Sequence, residues 1–513
     1  TGNITGNGGT DGYLDLASDS SVDASSETLG NIDLRGLGAL TLRDVDTVAG
    51  NLNATATTGD ITQTGALTVA GASTFNTLGS GKNIILDHQA NAFAGAVTLQ
   101  ANSGAGTFGN ITFVDRGGVN LAANATAAGD LLIDAGTVGA VGGKLIVTAT
   151  TGAITDNVVL NVTGTSSFTT TQADMDITLD QVSLFTGAVS LATNGMDGDI
   201  SITNVGQALD LGTVTTTAGG DLVVEADFGD ITDSGVITAT GTSSFTTTQV
   251  DADITLDQVS FFTGAVSLAT NGANGDISIT NVGQALDLGA VTTTLGGDLI
   301  VETDAGDITD SGTLIVSGDA SFTTTTANSD IDLGGLAVTG AIDVNTNGAT
   351  GNATLVNTIA VNLAASDVGG DLDVTATTGS ITQAGALTVA GASTFNTLGS
   401  GKNIILDQAN TFAGAVTLQA NNSGNGTFGG ITFVDSGDVN LAANADVAEN
   451  LFIDARTDGA VDGNLSVKAG GNITLETISS TGTVTLIADK AILDGNCCLS
   501  KSYAADEQNS RVV

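Results

Sequence analysis

Short apolar stretches alternate with Thr, Ser or Asp along the whole chain, and each is closed by Gly, Asn or Asp. In one span they read SFTTT at Phe168, DITL at Asp176, GAVSL at Gly187, DISIT at Asp199, ALDL at Ala208, GDLVVEA at Gly220, GDIT at Gly229 and VITAT at Val236. An apolar residue at every second position, bounded by turn formers, predicts half-buried strands. No useful length of chain carries the 3.6-residue period, so helix is excluded as a major component. In GDLVVEA the alternation points Leu222 and Val224 inward, and Val223 and Glu225 outward. The same frame turns Leu299 and Val301 inward in GDLIVET, and Leu131 and Ile133 inward in GDLLIDA.

The strands are organised by repeats. TSSFTTTQ stands at Thr165–Gln172 and again at Thr242–Gln249, with ASFTTTT at Ala320–Thr326. The phenylalanines Phe168, Phe245 and Phe322 are therefore spaced by 77 residues. A second duplication brackets these copies. TATTGDITQTGALTVAGASTFNTLGSGKNIILD at Thr55 returns at Thr375 with two substitutions, placing Phe75 and Phe395 in the same slot. Five versions of one unit follow, anchored at Phe75, Phe168, Phe245, Phe322 and Phe395, with loop insertions between Gly95 and Ile111 altering the spacing.

Barrels and sandwiches have a fixed strand number and do not tolerate a unit recopied down the chain. A solenoid does, because each coil meets only its neighbours. The expected fold is all-β: a right-handed parallel β-helix over residues 1–495 followed by an irregular tail, 496–513. Its handedness rests on the general preference for right-handed crossovers. Four coils per 77-residue unit give about 19 residues per coil and roughly 26 coils, stacked about 4.8 Å apart. Inward aliphatics then form ladders, each residue contributing about 1.5–3 kcal/mol when fully buried. The absence of proline fits, since proline deletes a ladder hydrogen bond.

The GDI/GNI cadence, with TATTGDIT, GNITLETISSTGTVTL and AILDGN, resembles the β-helical shafts of filamentous-haemagglutinin-like exoproteins and autotransporter adhesins. The likeness spans about residues 1–495. It implies export across the outer membrane of a Gram-negative-type bacterium and display or release as an adhesive rod. The expected partners are a glycan or protein on a host or neighbouring cell, or further copies of the chain. A self-assembling filament or biofilm-matrix component is the alternative within the same architecture. The stretch from Thr1 shows no basic-plus-apolar leader, so an export signal is expected to have been removed or to lie in a longer chain.

Composition narrows the chemistry. A net charge of −44 argues against nucleic acid and anionic membrane as partners. It suits a repetitive surface that must repel its own copies. No apolar run approaches the roughly 18 residues of a spanning helix, so no membrane insertion is expected. The single histidine, His88, lies in a one-residue insertion (ILDHQAN against ILDQAN), where it reads as loop decoration. Parallel β-helices include polysaccharide-cleaving enzymes, for which paired carboxylates such as Asp174/Asp176 and their copies Asp251/Asp253 are candidates. Those pairs recur with the repeat, whereas an active site is a singular constellation, so they read as corner acids and no enzyme is expected. The same four residues are the candidates for weak surface Ca²⁺ binding; no other cofactor is expected. Threonine-rich stretches at Phe168, Val214 and Thr55 fall in different frames, which β-propensity explains. The only cysteines, Cys497 and Cys498, are adjacent. They suit an intermolecular disulfide between two rods in an oxidising exterior better than a bridge to each other.

Overall fold

A computed structural model describes residues 4–5, 14–16, 19–26, 30–101, 109–124, 127, 129–133, 140–420, 427, 429–442, 450–453, 460–461, 464–475, 479–480, 482–494 and 511–512. Among them the regular structure is all strand, and the strands stack in parallel as a β-solenoid with turns of about 22 residues. The chain divides into two units, Thr1–Gly264 and Ala265–Val513.

In the first unit successive strands fall alternately on two sheets. Ser166–Ala173, Val189–Asn194 and Leu209–Thr215 build the first sheet, pairing Phe168 with Leu191 and Leu191 with Val214. Ile177–Phe185, Ile200–Asn204, Leu222–Ala226 and Ser243–Val250 build the second, pairing Ile200 with Leu222 and Leu222 with Ser243. Every described pairing within this unit is parallel, because each strand sits on its counterpart one turn earlier. The predicted alternation holds residue by residue. Leu222, Val224, Leu131 and Ile133 are buried while Val223 is exposed. Between the sheets lies a dry column of aliphatics, crossed by edge-to-face phenylalanine pairs. Phe75–Phe93, Phe168–Phe185 and Phe245–Phe262 have ring centroids 6.0, 6.0 and 5.9 Å apart.

The second unit repeats this plan. Leu299–Thr303, Ala320–Ala327 and Ala341–Asn347 pair in one sheet, and Ala353–Asn357, Leu372–Ala376, Ser393–Thr397 and Val416–Ala420 in the other. Leu299 and Val301 point inward as expected. Phe395–Phe412 reproduces the edge-to-face pair at 5.9 Å, whereas Phe322 has the shorter Val338 in the corresponding place. The pairings are parallel except where the two residues Arg511–Val512 run antiparallel to Val484–Ala488. The rest of the 496–513 stretch, with Cys497 and Cys498, lies outside the described residues.

The coil length differs from the expected 19, and the reason is informative. From Ser166–Ala173 to its copy Ser243–Val250 the chain makes seven passes, because Ile231–Asp233 and Ile237–Ala239 are two halves of one bent pass, both paired to Leu209–Thr215. Counting those halves as separate strands suggested eight passes and four coils. Seven passes of about 11 residues make three and a half turns of about 22, and the described turns number about 19 instead of 26. Within each unit a copy of the repeat therefore begins on the sheet opposite the copy before it. Phe75 and Phe245 lie in one sheet of the first unit and Phe168 in the other. In the second unit Phe322 and Phe395 are likewise on different sheets.

A further insertion, between Val119–Leu121 and Leu145–Ala149, brings a strand of its own. Asp130–Ile133 slots between Val97–Ala101 and Val119–Leu121, so three neighbouring strands stand out of chain order. Asn450–Ile453 does the same between Val416–Ala420 and Val439–Ala442 in the second unit.

Candidate functional site

The polar residues gather at two places in each turn: the corner before a strand and the elbow within a bent pass. At the corner, the Asp or Asn of the GD/GN cadence lies one residue before the first inward aliphatic. Its carboxylate or amide oxygen accepts the backbone N–H at the same place in the next turn. Asp176 Oδ1 accepts from Asp199 N at 3.0 Å, Asp199 Oδ1 from Asp221 N at 2.8 Å, and Asp221 Oδ1 from Thr242 N at 2.7 Å. Asn31 and Asn51 head a matching column, and Asp276, Asp298 and Asp319 continue the device in the second unit. Glycines precede these corners because the stack leaves no room for a side chain. A Cβ on Gly50 would lie 1.9 Å from the carbonyl oxygen of Gly30.

This geometry places the four acids singled out from the sequence. Asp176 belongs to the corner column, and Asp253 donates its own N–H to Asp230 Oδ1 at 2.9 Å. Asp174 and Asp251 occupy left-handed turns, with φ of 61° and 60°. Asp174 Oδ1 accepts the N–H groups of Met196 and Asp197 at 2.6 and 3.2 Å. Aspartate is among the few residues that adopt this conformation readily, and here its carboxylate serves the next turn of the stack. Among the described residues no group of three or more His, Cys, Asp or Glu side chains is placed to hold a metal ion. His88 stands where its insertion splits one strand into Ile84–Leu86 and Ala92–Phe93, and its Nδ1 accepts the N–H of Ala90 at 3.2 Å. In the copy lacking the insertion the strand runs unbroken, Ile404–Phe412.

The elbows hold what the sequence reading missed. In the recurring Ile-Thr-Asp/Gln triplets the third residue shares the inward face of the isoleucine, so Gln63, Asp156, Asp233 and Gln383 are buried. Period-two counting carried one residue further would have found them. Each begins a polar stack that bridges the bend. Gln63 and Asn91 exchange amide hydrogen bonds of 2.8 and 2.9 Å, and Asn91 Oδ1 also accepts Leu67 N at 3.0 Å. Gln383 and Asn410 match them at 2.9 and 3.0 Å, with Leu387 N bound to Asn410.

Where aspartate replaces glutamine the stack is thinner. Leu160 N donates to Ser183 Oγ at 2.9 Å and Gln181 N to Asp156 Oδ1 at 3.3 Å, while Asp156 Oδ2 is buried without a partner. At the next copy Ile237 N donates to Ser260 Oγ, which in turn donates to Asp233 Oδ2, at 3.2 and 3.3 Å. Burial pushes the Asp156 carboxyl up to about 6; the Gln181 N–H opposes this and the charge of Asp180 adds to it. Burial likewise raises Asp233, against the N–H groups of Asp257 and Gln258 and the Ser260 hydroxyl. Asp115, whose Oδ1 accepts Phe93 N at 3.1 Å, is raised for the same reason.

A family profile described as "Repeats of unknown function (DUF5649)" matches residues 29–100, 108–192, 197–269, 274–337 and 350–419. Each matched segment contains one of the five anchor phenylalanines. Neither the curated proteins nor the solved structures gave a match to the chain.

Proposed function

Since the chain belongs to the family of DUF5649 repeats, here folded as a β-solenoid, we propose that it serves as a structural shaft in a secreted or surface-displayed bacterial adhesin. The observation that supports this reading is how the polar groups are used. The acids of the GD/GN cadence cap backbone N–H groups turn after turn, and the inward positions outside the polar elbows are mostly aliphatic. A repeat spent on propagating itself suits a spacer that holds a binding partner at a distance. Its partner on this reading is a glycan or protein on another cell surface, and its setting is the exterior of a Gram-negative-type bacterium. The high negative charge supports that setting, because it keeps parallel copies apart in solution. On the same reading the chain has no catalytic role and needs no cofactor.

The test is electron microscopy of the purified chain together with retention of chain-coated beads on a cell monolayer. Single rods and retained beads are expected. End-to-end fibres without retention would favour a matrix filament, and release of sugar products from polysaccharides would overturn the non-catalytic reading.

A further inference from the structure

Four of the five elbows bury the third residue of the triplet and differ in its chemistry; in the fourth copy Asp310 is half-buried and accepts Gly334 N and Gly335 N at 2.8 and 2.6 Å. In the first copy and the fifth, Gln63 and Gln383 supply both an acceptor and a donor. Their Nε2 groups also reach the carbonyl oxygens of Gly65 and Gly385, at 2.8 and 3.0 Å. In the second and third copies Asp156 and Asp233 stand in the same place with 7% exposure each. A carboxylate there can only accept. Asp156 Oδ2 is consequently buried without a hydrogen-bond partner.

Among the described residues no cation offsets either charge. Asp156 is flanked by Val119–Leu121, which carries no titratable side chain, and by Ile177–Phe185, which contributes the acidic Asp180. Arg116, in the turn leading into Val119–Leu121, is exposed, and the strands Leu145–Ala149 and Ser166–Ala173 carry no charge. Asp233 is flanked by Leu209–Thr215 with Asp210 and by Ile254–Phe262 with Asp257. Glu225 lies on the outward face of Leu222–Ala226, and Ser243–Val250 is uncharged. Every neighbouring ionisable side chain on these strands is acidic.

We propose that the Asp156 and Asp233 elbows are proton-binding sites that tighten these two bends in mildly acidic surroundings and loosen them near neutrality. A proton converts each carboxylate into a group with one donor and one acceptor, the capacity that Gln63 and Gln383 carry permanently. It also removes an uncompensated buried charge. At the aspartate bends the responding acid is the elbow residue itself, whereas at the glutamine bends the buried acid, Asp115 or Asp435, stands further along the stack and accepts Phe93 N or Phe412 N.

Hydrogen exchange of the full chain between pH 7.5 and pH 5, with each rate divided by its intrinsic value, tests this. Protection at Leu160 and Gln181 is expected to rise about tenfold as the pH falls, the factor set by one carboxyl titrating near 6 when folded and near 3.8 when unfolded, and protection at Ile237 and Gln258 to change in the same direction. Asp156→Asn should flatten the profile at Leu160 and Gln181 and leave Ile237 responding. A flat profile at the aspartate elbows of the unaltered chain, or an undiminished rise at Leu160 and Gln181 in Asp156→Asn, overturns the proposal.

Discussion

Seven passes per repeat make an unusual deletion possible. Removing residues 166–242 joins Thr165 to Ser243, and the new junction reads TSSFTTTQ as both old ones did. The chain loses three and a half turns, about 17 Å of stack at about 4.8 Å per turn. Because the loss is half-integral, Ser243–Val250 must land on the sheet opposite its present one, in the place of Ser166–Ala173. Thr148 is the outward residue paired with Thr169, and Thr246 is the counterpart of Thr169 in the next copy. In the intact chain Thr148 and Thr246 lie on opposite sheets. In the deletion variant they become neighbours about 4.8 Å apart, within the Cα separation a disulfide spans. Thr148→Cys with Thr246→Cys, in a background with Cys497 and Cys498 changed to serine, should form an intramolecular bridge under mild oxidation only in the deletion variant. Non-reducing electrophoresis and mass spectrometry of the linked peptides read the result. A folded deletion variant that fails to bridge, or an intact chain that bridges, would refute the half-turn phase.

Four further outcomes are expected. Ser243→Ala should raise stability by about 1 kcal/mol in denaturant melts, because the Ser243 hydroxyl is buried without a partner and Ala320 already fills that place in the next copy. Asp199→Ala should lower it by about 1 kcal/mol through loss of the bond to Asp221 N, while Asp199→Asn stays near neutral, as Asn51 does the same task. Phe168→Ala, which removes a fully buried ring and its edge-to-face contact with Phe185, should cost about 3–5 kcal/mol. Asp156→Asn should stabilise by up to about 3 kcal/mol at pH 7.5. The folded carboxyl titrates above its unfolded value, so the native chain gains stability as pH falls from about 6 towards 3.8 and the advantage of asparagine vanishes below that range; melts at pH 7.5 and 3.5 check the sign.

The strands and their inward faces were legible because period-two alternation is a local property. Leu222/Val224 and Leu299/Val301 needed only their own neighbours to be placed. The coil length was not legible, because Ile231–Asp233 and Ile237–Ala239 look like two strands in sequence and become one bent pass only through shared pairing with Leu209–Thr215. The acids show a similar limit. Composition made Asp174, Asp176, Asp251 and Asp253 stand out as a group, yet Asp176 holds a backbone N–H one turn away while Asp174 shapes a left-handed turn. Buried Asp156 and Asp233 escaped notice because a turn-flanking aspartate is ordinarily solvated. Here the bend carries it inward.

The out-of-order strand Asp130–Ile133 bears on how such a chain assembles as it emerges from a narrow exit. Apart from this strand and Asn450–Ile453, a strand arriving within these stacks finds its template one turn earlier, so zipping can follow the chain. Val119–Leu121 arrives before the strand that links it to Val97–Ala101 exists. Growth must hesitate there until Asp130–Ile133 is delivered, a built-in pause in vectorial folding.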